Sequence, residues 1–313
     1  MAKSSAQRER RDDQSRPPAP EPLPGQVTDT HCHLDLAQRW SRPDARSTGR
    51  AALDAEWTPE VAVSRAADVG VSRIVQIGCD LDSAHWSVAL AAMLPGLVAG
   101  VALHPNEAPA LHAAGRLDEA LAQIEVLASE PVTRAVGETG LDFFRTGPEG
   151  IAAQRTSFAA HIAMAKKHDR TLVIHDRDAH AAVLDVLDGE GIPDRVVMHC
   201  FSGDTSFARD CLDRGAYLSF AGVVTFRNAA TLREALAVTP LDRVLVETDA
   251  PYLTPHPYRG RPNSSYLIPL TVRAMAEARG DDLETLCQSL RENAAAAFGG
   301  DWPSASADAA DPG

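Results

Sequence analysis

Eight short apolar runs alternate with eight helical patterns along this chain, and that alternation restricts the fold more than any other feature. The strand-like runs lie at about 27–31, 73–77, 97–102, 132–137, 171–175, 195–199, 216–220 and 243–247. Most are rich in Val, Ile or Leu, as strands covered on both faces must be. Helical patterns occupy 59–69, 82–93, 117–129, 150–168, 178–189, 204–214, 229–238 and 267–279. Glycines and prolines punctuate several joints, as at Gly70, Pro95-Gly96, Pro131, Gly191-Ile192-Pro193 and Gly215. Eight strand–helix units predict an α/β chain folded as a (β/α)8 TIM barrel. The competing arrangement is an open doubly wound sheet. It lacks support from a glycine-rich phosphate loop, because neither GxGxxG nor GxxxxGK[ST] occurs. At 313 residues the chain has enough length for one large domain, expected over 26–300.

Five of the runs end, at or just after their last residues, in side chains that can bind a metal. Val27-Thr28-Asp29-Thr30 leads into His31-Cys32-His33, Val132 to Val136 into Gly137-Glu138, and Leu172-Val173-Ile174 into His175. Val196-Val197-Met198 leads into His199, and Val244-Leu245-Val246 into Glu247-Thr248-Asp249. A parallel barrel gathers its strands' carboxyl ends around one mouth, so these side chains are expected to converge. His31 and His33 are two apart on a strand and face one side, while Cys32 faces the other and reads as core. Imidazole and carboxylate donors suit Zn²⁺, Mn²⁺ or Fe²⁺, and with more water Mg²⁺.

Charge narrows the partners. The net charge of −13 argues against nonspecific nucleic-acid binding through a broad basic surface, without excluding a local positive pocket. No apolar run approaches a membrane span, and no apolar segment follows the charged first residues as a secretory signal would require. Five cysteines without CxxC spacing suggest reduced thiols and a cytoplasmic protein. Residues 1–25 hold charges and five prolines, and residues 301–313 are Ala/Asp/Ser/Pro-rich; both read as disordered tails. The stretch from Gln38 to Trp57 is long for a first strand–helix connection and reads either as a cover over the mouth or as a tolerated insertion. Oligomeric state is not legible.

The strings TDTHCHLD, GETGLDFFR, VIHDRDA, MHCFSG and ETDAPYL resemble those of the TatD family of metal-dependent hydrolases and deoxyribonucleases. The similarity runs from Thr28 to Phe298. It implies a barrel of the amidohydrolase superfamily with two divalent ions, Zn²⁺, Mn²⁺ or Mg²⁺. By that resemblance His31 and His33 hold one metal, His175 and His199 hold the other, and Glu138 bridges them. Asp249 binds the first metal and takes the proton of the attacking water. Many related barrels bridge with a carbamylated lysine, but Lys3, Lys166 and Lys167 lie at no strand end, which leaves Glu138 as the anionic bridge. Two carboxylates offset only part of the charge on two divalent ions, so the pocket is expected to favour a phosphate.

His104, in GVALHPNEA, is expected at the substrate end by the same resemblance. Arg145, Arg177, Arg227, Arg259 and Arg261 fall in or near strand–helix loops, where guanidinium geometry fits phosphate; Arg145, Arg177 and Arg259 are taken as the contacts. Phe143, Phe144, Phe201 and Tyr252 read as base-stacking or as packing around the ligands. One departure from the family is Arg261-Pro262-Asn263-Ser264-Ser265, where Asn-Glu-Pro is commoner after the glycine. It bears on local substrate contacts, not on the metals. The expected reaction is hydrolysis of DNA phosphodiesters, in the 3′-to-5′ exonuclease sense. The alternatives are cleavage of another ester or amide, such as an aminoacyl-tRNA ester, and non-catalytic nucleic-acid binding on the same barrel.

Overall fold

A computed structural model of the protein describes residues 15–36 and 57–305. The expected loop from Gln38 to Trp57 lies outside them, Trp57 excepted. Eight strands form one sheet in chain order: β1 Val27–Cys32, β2 Val71–Gly78, β3 Leu97–Val101, β4 Thr133–Asp142, β5 Thr171–Arg177, β6 Val196–Met198, β7 Tyr217–Phe220 and β8 Val244–Val246. Every neighbouring pair is parallel. The sheet closes just beyond β8, where Asp249 N–H donates to His31 O and His33 N–H donates to Ala250 O, both at 2.9 Å. The closing seam therefore carries three of the expected ligands. All eight expected strands and all eight expected helices form, which is the (β/α)8 TIM barrel.

Between the strands run α1 Pro59–Ala67, α2 Leu81–Met93, α3 Ala108–Ala113, α4 Leu117–Ala128, α5 Ile151–Lys167, α6 His180–Glu190, α7 Thr205–Leu212 and α8 Ala230–Val238, and α9 Ile268–Arg279 follows β8. Their starts follow local chemistry. Asp80 caps α2 by accepting from Ser83 N at 2.7 Å, while the Ser83 hydroxyl accepts from Asp80 N at 3.0 Å. That reciprocal box also fixes Cys79, whose N–H donates to the same hydroxyl at 2.9 Å. The shell between strands and helices holds residues such as Ile74, Leu172, Ile174, Met198 and Phe220, whereas Val75, Ile77, Val98, Ala135, Val173, Val197 and Leu245 fill the barrel itself. This is the period-two alternation of a sheet buried on both faces.

Three features depart from the sequence reading. First, α10 spans Leu283–Ala297 and was not foreseen. With Phe298 and Trp302 it closes the amino end of the barrel: Ala294, Ala297, Phe298 and Trp302 pack onto the interior cluster. Asn293 Nδ2 donates to Leu241 O at 2.7 Å and Val244 O at 2.9 Å, pairing carbonyls at the entry to β8. Second, residues 15–25 and 301–305, expected to belong to disordered tails, are ordered. From Ser15 the chain lies against the barrel: Arg261 donates to Ser15 O at 2.8 Å, Tyr266 OH to Pro17 O at 2.6 Å, and Arg273 to Pro22 O at 2.9 Å. Prolines give up amide donors but leave carbonyls free to accept, so a proline-rich strap suits arginine and tyrosine partners. At the other end Trp302 is buried and its Nε1–H donates to Gly96 O at 3.1 Å. Third, β4 does not end at Glu138. It continues to Asp142.

That third difference positions the site. Along β4 and β5, Val136 pairs with Leu172 and Thr139 with Ile174, so three steps on β4 match two on β5. The same mismatch occurs on β1, where Asp29 pairs with Ile74 and Cys32 with Gln76. Each is a β-bulge, which re-aims one side chain. The bulges hold His31 and Glu138, and both point into the barrel mouth. Gly137 beside the bulge is packed so tightly that a Cβ there would stand 2.5 Å from Val173 Cβ.

Candidate metal centre

Six side chains meet at the carboxyl end of the barrel around one buried carboxylate. Glu138 Oε1 lies 3.6 Å from His31 Nε2 and 3.4 Å from His33 Nε2. Its other oxygen, Oε2, lies 2.9 Å from His199 Nε2, 3.2 Å from His175 Nδ1 and 3.8 Å from His104 Nε2. Asp249 Oδ1 lies 3.4 Å from His33 Nε2. Groups able to hold a metal ion are His31–His33–Asp249, His31–His199–Glu247, His33–Cys79–Glu138 and His104–Glu138–His175. All six residues named in the sequence reading as metal ligands thus fall in one cluster, with His104 beside them.

The hydrogen bonds behind these donors show what the front atoms need. His33 Nδ1–H donates to Ile77 O at 3.0 Å, and His199 Nδ1–H donates to Glu247 Oε1 at 3.2 Å. In the neutral rings both Nε2 atoms are therefore bare lone pairs. One faces His31 Nε2 at 3.2 Å and the other faces a carboxylate oxygen at 2.9 Å. The His199 lone pair set against a carboxylate oxygen needs a cation or a proton between them, whereas a neutral His31 with its proton on Nε2 can donate to His33. His31 Nδ1 is also buried without a hydrogen-bond partner. The donor set fits divalent metal, and the backing by a carbonyl and a carboxylate is the usual way metal-binding imidazoles are oriented.

Without metal, protons supply the positive charge. Burial would raise the Glu138 carboxyl, but His199, His104 and His175 outweigh it and hold the group well below the usual range. Burial would lower His199, but Glu138 and Glu247 lift it well above its usual value. Burial likewise opposes charge on His33, and Cys79, Asp249 and Glu138 overcome it. His31 goes the other way, lowered by burial and by His199. Burial would raise Asp249, and His33 outweighs it. Strong opposing shifts packed around one carboxylate are characteristic of sites that exchange protons or cations. Cys200 and Asp249 also adopt left-handed φ values of 45° and 53°. Such backbone costs about 1–3 kcal/mol for a non-glycine residue and clusters at functional sites.

His104 has a defined tautomer. Asn106 N–H donates to His104 Nδ1 at 3.1 Å, so the proton of the neutral ring sits on Nε2, which faces the cluster. Burial, with His175 and His199 adding to it, lowers this histidine to about 4 and keeps it neutral. Behind its loop, Leu103 N–H donates to His161 Nε2 at 3.1 Å.

The arginines divide. Arg177 and Arg259 are exposed at the mouth and lie over aromatic rings, Arg177 over Phe144 at 3.9 Å and Arg259 over Phe226 at 4.5 Å. Arg145 is exposed, and its amide donates to Asp142 Oδ1 at 2.8 Å. Arg261 holds the amino-terminal strap instead of facing the mouth. Asn263, in the segment that departs from the family pattern, is buried and donates to Thr248 O at 3.0 Å and Tyr252 O at 2.6 Å, bracing the loop that carries Asp249. Phe201 is buried and Phe143 is half-buried, whereas Phe144 and Tyr252 are exposed.

The sequence reading gave no role to Glu247, Asp142 or Cys79. Glu247 is fully buried and also accepts from Cys200 N at 2.8 Å. Its signal was available, since Leu245 points into the barrel and Glu247 is two residues on. Asp142 Oδ2 lies 3.5 Å from His175 Nε2 and accepts from Asn106 Nδ2 at 3.1 Å. Cys79 Sγ lies 3.2 Å from Glu138 Oε1.

A parallel barrel with a histidine–carboxylate cluster at its mouth defines a metal-dependent hydrolase. Residues 28–299 match the family model described as TatD related DNase, and the chain belongs to the TatD family. It is 44% identical over 280 residues to a protein of Mycobacterium tuberculosis named "Uncharacterized metal-dependent hydrolase TatD", covering 88% of this chain and 99% of that one. It is 35% identical over 243 residues to the "3'-5' ssDNA/RNA exonuclease TatD" of Cronobacter sakazakii, covering 75% and 90% respectively. Among solved structures, the TatD homolog YjjV of Escherichia coli superposes with a TM-score of 0.74 at 26% identity, over 87% of this chain and 98% of that one. No helix among the described residues is long and apolar enough to cross a membrane.

Proposed function

We propose that this hydrolase uses two divalent metal ions to cleave phosphodiesters in DNA, removing nucleotides from a 3′ end. One observation carries the proposal: the two oxygens of Glu138 face different histidine pairs, His31 and His33 on one side, His175 and His199 on the other. A carboxylate with two separately furnished oxygens is suited to bridge two cations. In this reading the first ion takes His31, His33, Asp249 and Glu138, and the second takes His175, His199 and Glu138. Zn²⁺ or Mn²⁺ suits the imidazole donors best, and Mg²⁺ suits the phosphodiester chemistry. Bound there, two divalent cations would make a water acidic and balance charge on the phosphate oxygens.

The protein's own groups supply the remainder. Asp249, kept ionised and reaching the mouth, accepts the proton of the attacking water. His104 presents a neutral Nε2–H, a donor suited to a phosphoryl oxygen. Arg177 and Arg259, with Arg145 on the neighbouring loop, offer forked donors to flanking phosphates. Glu247 holds the His199 ring in the tautomer that leaves Nε2 free. The exonuclease name of the Cronobacter relative supports nucleic acid as substrate. Five free thiols suit a reducing, cytoplasmic setting.

The test is a substrate panel with metal-depleted and reconstituted protein: single-stranded and 3′-overhang DNA, RNA, and D- and L-aminoacyl-tRNA. Metal-dependent release of nucleotides from DNA, abolished in folded Glu138→Ala protein, is the expected result. Ester cleavage from tRNA with inert DNA would replace the nuclease reading, and DNA cleavage that survives Glu138→Ala would remove the site assignment.

A further inference from the structure

The barrel mouth carries two arginine–phenylalanine pairs outside the metal-binding cluster. On the β4–β5 side, the Arg177 guanidinium carbon lies 3.9 Å from the centroid of the Phe144 ring. Phe144 is 61% exposed, an unusual setting for a phenyl ring beside a polar centre. On the β7–β8 side, the Arg259 guanidinium carbon lies 4.5 Å from the Phe226 ring. Phe226 also lines a cleft of about 240 Å³ between the loops after β6 and β7, with Cys200, Phe201, Val223, Asn228 and Leu232 among its walls. Cys200, the residue following the candidate ligand His199, is one of its walls. Its chemistry is mixed: aromatic and aliphatic surface, plus an amide that can address a ring edge.

A guanidinium lying over a ring keeps its charge beside an apolar face. Such a surface meets both parts of a nucleotide, the base by stacking and the phosphate by charge. A base inside a duplex has neither face free. Arg177 follows His175 by two residues at the end of β5, and Arg259 follows Asp249 by ten beyond β8, so the pairs belong to two different ligand-bearing segments of the mouth, and a strand crossing it would meet both.

We propose that the two pairs are stacking platforms that restrict the enzyme to unpaired nucleotides: the cleft at Phe226 and Arg259 takes the terminal base, and the open face of Phe144 and Arg177 takes the base on the other side of the scissile phosphate. A walled cleft suits a chain end, whereas an exposed platform lets the strand continue. This assignment rests on the phosphodiesterase reading given above.

The test uses reconstituted wild-type, Phe144→Leu and Phe226→Leu protein, with thermal melts confirming that each is folded. Two substrates are compared, a single-stranded oligonucleotide and methyl 4-nitrophenyl phosphate, a diester without a base. The quantity read is kcat/KM for the oligonucleotide divided by kcat/KM for the small diester. Each substitution should lower that ratio about ten-fold, the equivalent of about 1.4 kcal/mol for one lost stack. Binding is read separately with 2-aminopurine in a strand whose terminal linkage cannot be hydrolysed. Phe226→Leu should relieve quenching of a terminal probe, and Phe144→Leu that of a penultimate probe. An unchanged ratio, or a blunt duplex cleaved as fast as the single strand, overturns the proposal. Wild-type protein that cleaves the small diester but no oligonucleotide also overturns it, while leaving the phosphodiesterase reading in place. If neither diester is cleaved, the phosphodiesterase reading falls and the platforms fall with it.

Discussion

Acid should weaken this protein through a histidine that takes no part in the metal centre. His161, on α5, is fully buried. Its Nδ1–H donates to Ser157 O at 2.6 Å and its Nε2 accepts from Leu103 N–H at 3.1 Å, so both ring nitrogens are used by the neutral form alone. Burial lowers the imidazole from 6.5 to about 4. Between those two values the unfolded chain binds a proton that the folded chain refuses, so stability rises with pH across the window and is lost as pH falls through it. At pH 4.5 the penalty from this one group is about 2.5 kcal/mol relative to neutral pH. Other groups titrate in the same range, so the clean measurement is a difference. Urea unfolding of wild-type and His161→Gln protein, both metal-depleted, gives the gap between them at pH 7.5 and at pH 4.5. Glutamine cannot titrate and reproduces the two bonds imperfectly, so the variant should be the weaker protein at pH 7.5. At pH 4.5 the gap should move in the variant's favour by about 2.5 kcal/mol. A gap that is the same at both pH values would refute the claim that His161 is held neutral by its two partners.

Glu247→Gln keeps the shape of the group behind His199 but removes its charge, and should weaken metal binding by roughly 10–100-fold in a chelator-competition titration. His104→Gln should lower kcat/KM on a phosphodiester on the order of 10²-fold while metal content, measured by elemental analysis, stays that of the wild type. Asn293→Ala orphans the carbonyls of Leu241 and Val244 at the floor of the barrel and should cost about 1–3 kcal/mol in urea unfolding, with little effect on metal affinity.

The sequence carried the barrel because buried parallel strands leave a simple mark. Runs such as Val196-Val197-Met198 and Val244-Leu245-Val246 are apolar throughout and sit between helical patterns. It marked the candidate ligands because histidines and carboxylates at strand ends have few structural reasons to recur, and the fold brings those side chains together. The bulges at His31 and Glu138 were not legible, since an extra residue in a ladder leaves the hydrophobic pattern intact. α10 was missed because its buried face relies partly on Ala294, Ala297 and Asn293, which stand out little from a polar helix. The strap from Ser15 to Gly25 has the composition of a disordered tail, yet its carbonyls serve Arg261, Tyr266 and Arg273, three partners in one stretch far along the chain. Glu247 and Asp142 were overlooked because they lie behind His199 and His175 instead of at the front of the cluster.

The central claim is that Glu138 joins two cation sites. The direct measurement is metal stoichiometry in wild-type and Glu138→Gln protein, each depleted, reconstituted with Zn²⁺ or Mn²⁺, freed of excess ion and analysed alongside its hydrolytic rate. Two equivalents per wild-type chain are predicted, with activity appearing only as the second is filled. The variant should retain at most one equivalent and lose hydrolysis. Full activity with a single equivalent, or two tightly held equivalents in Glu138→Gln, would contradict the account.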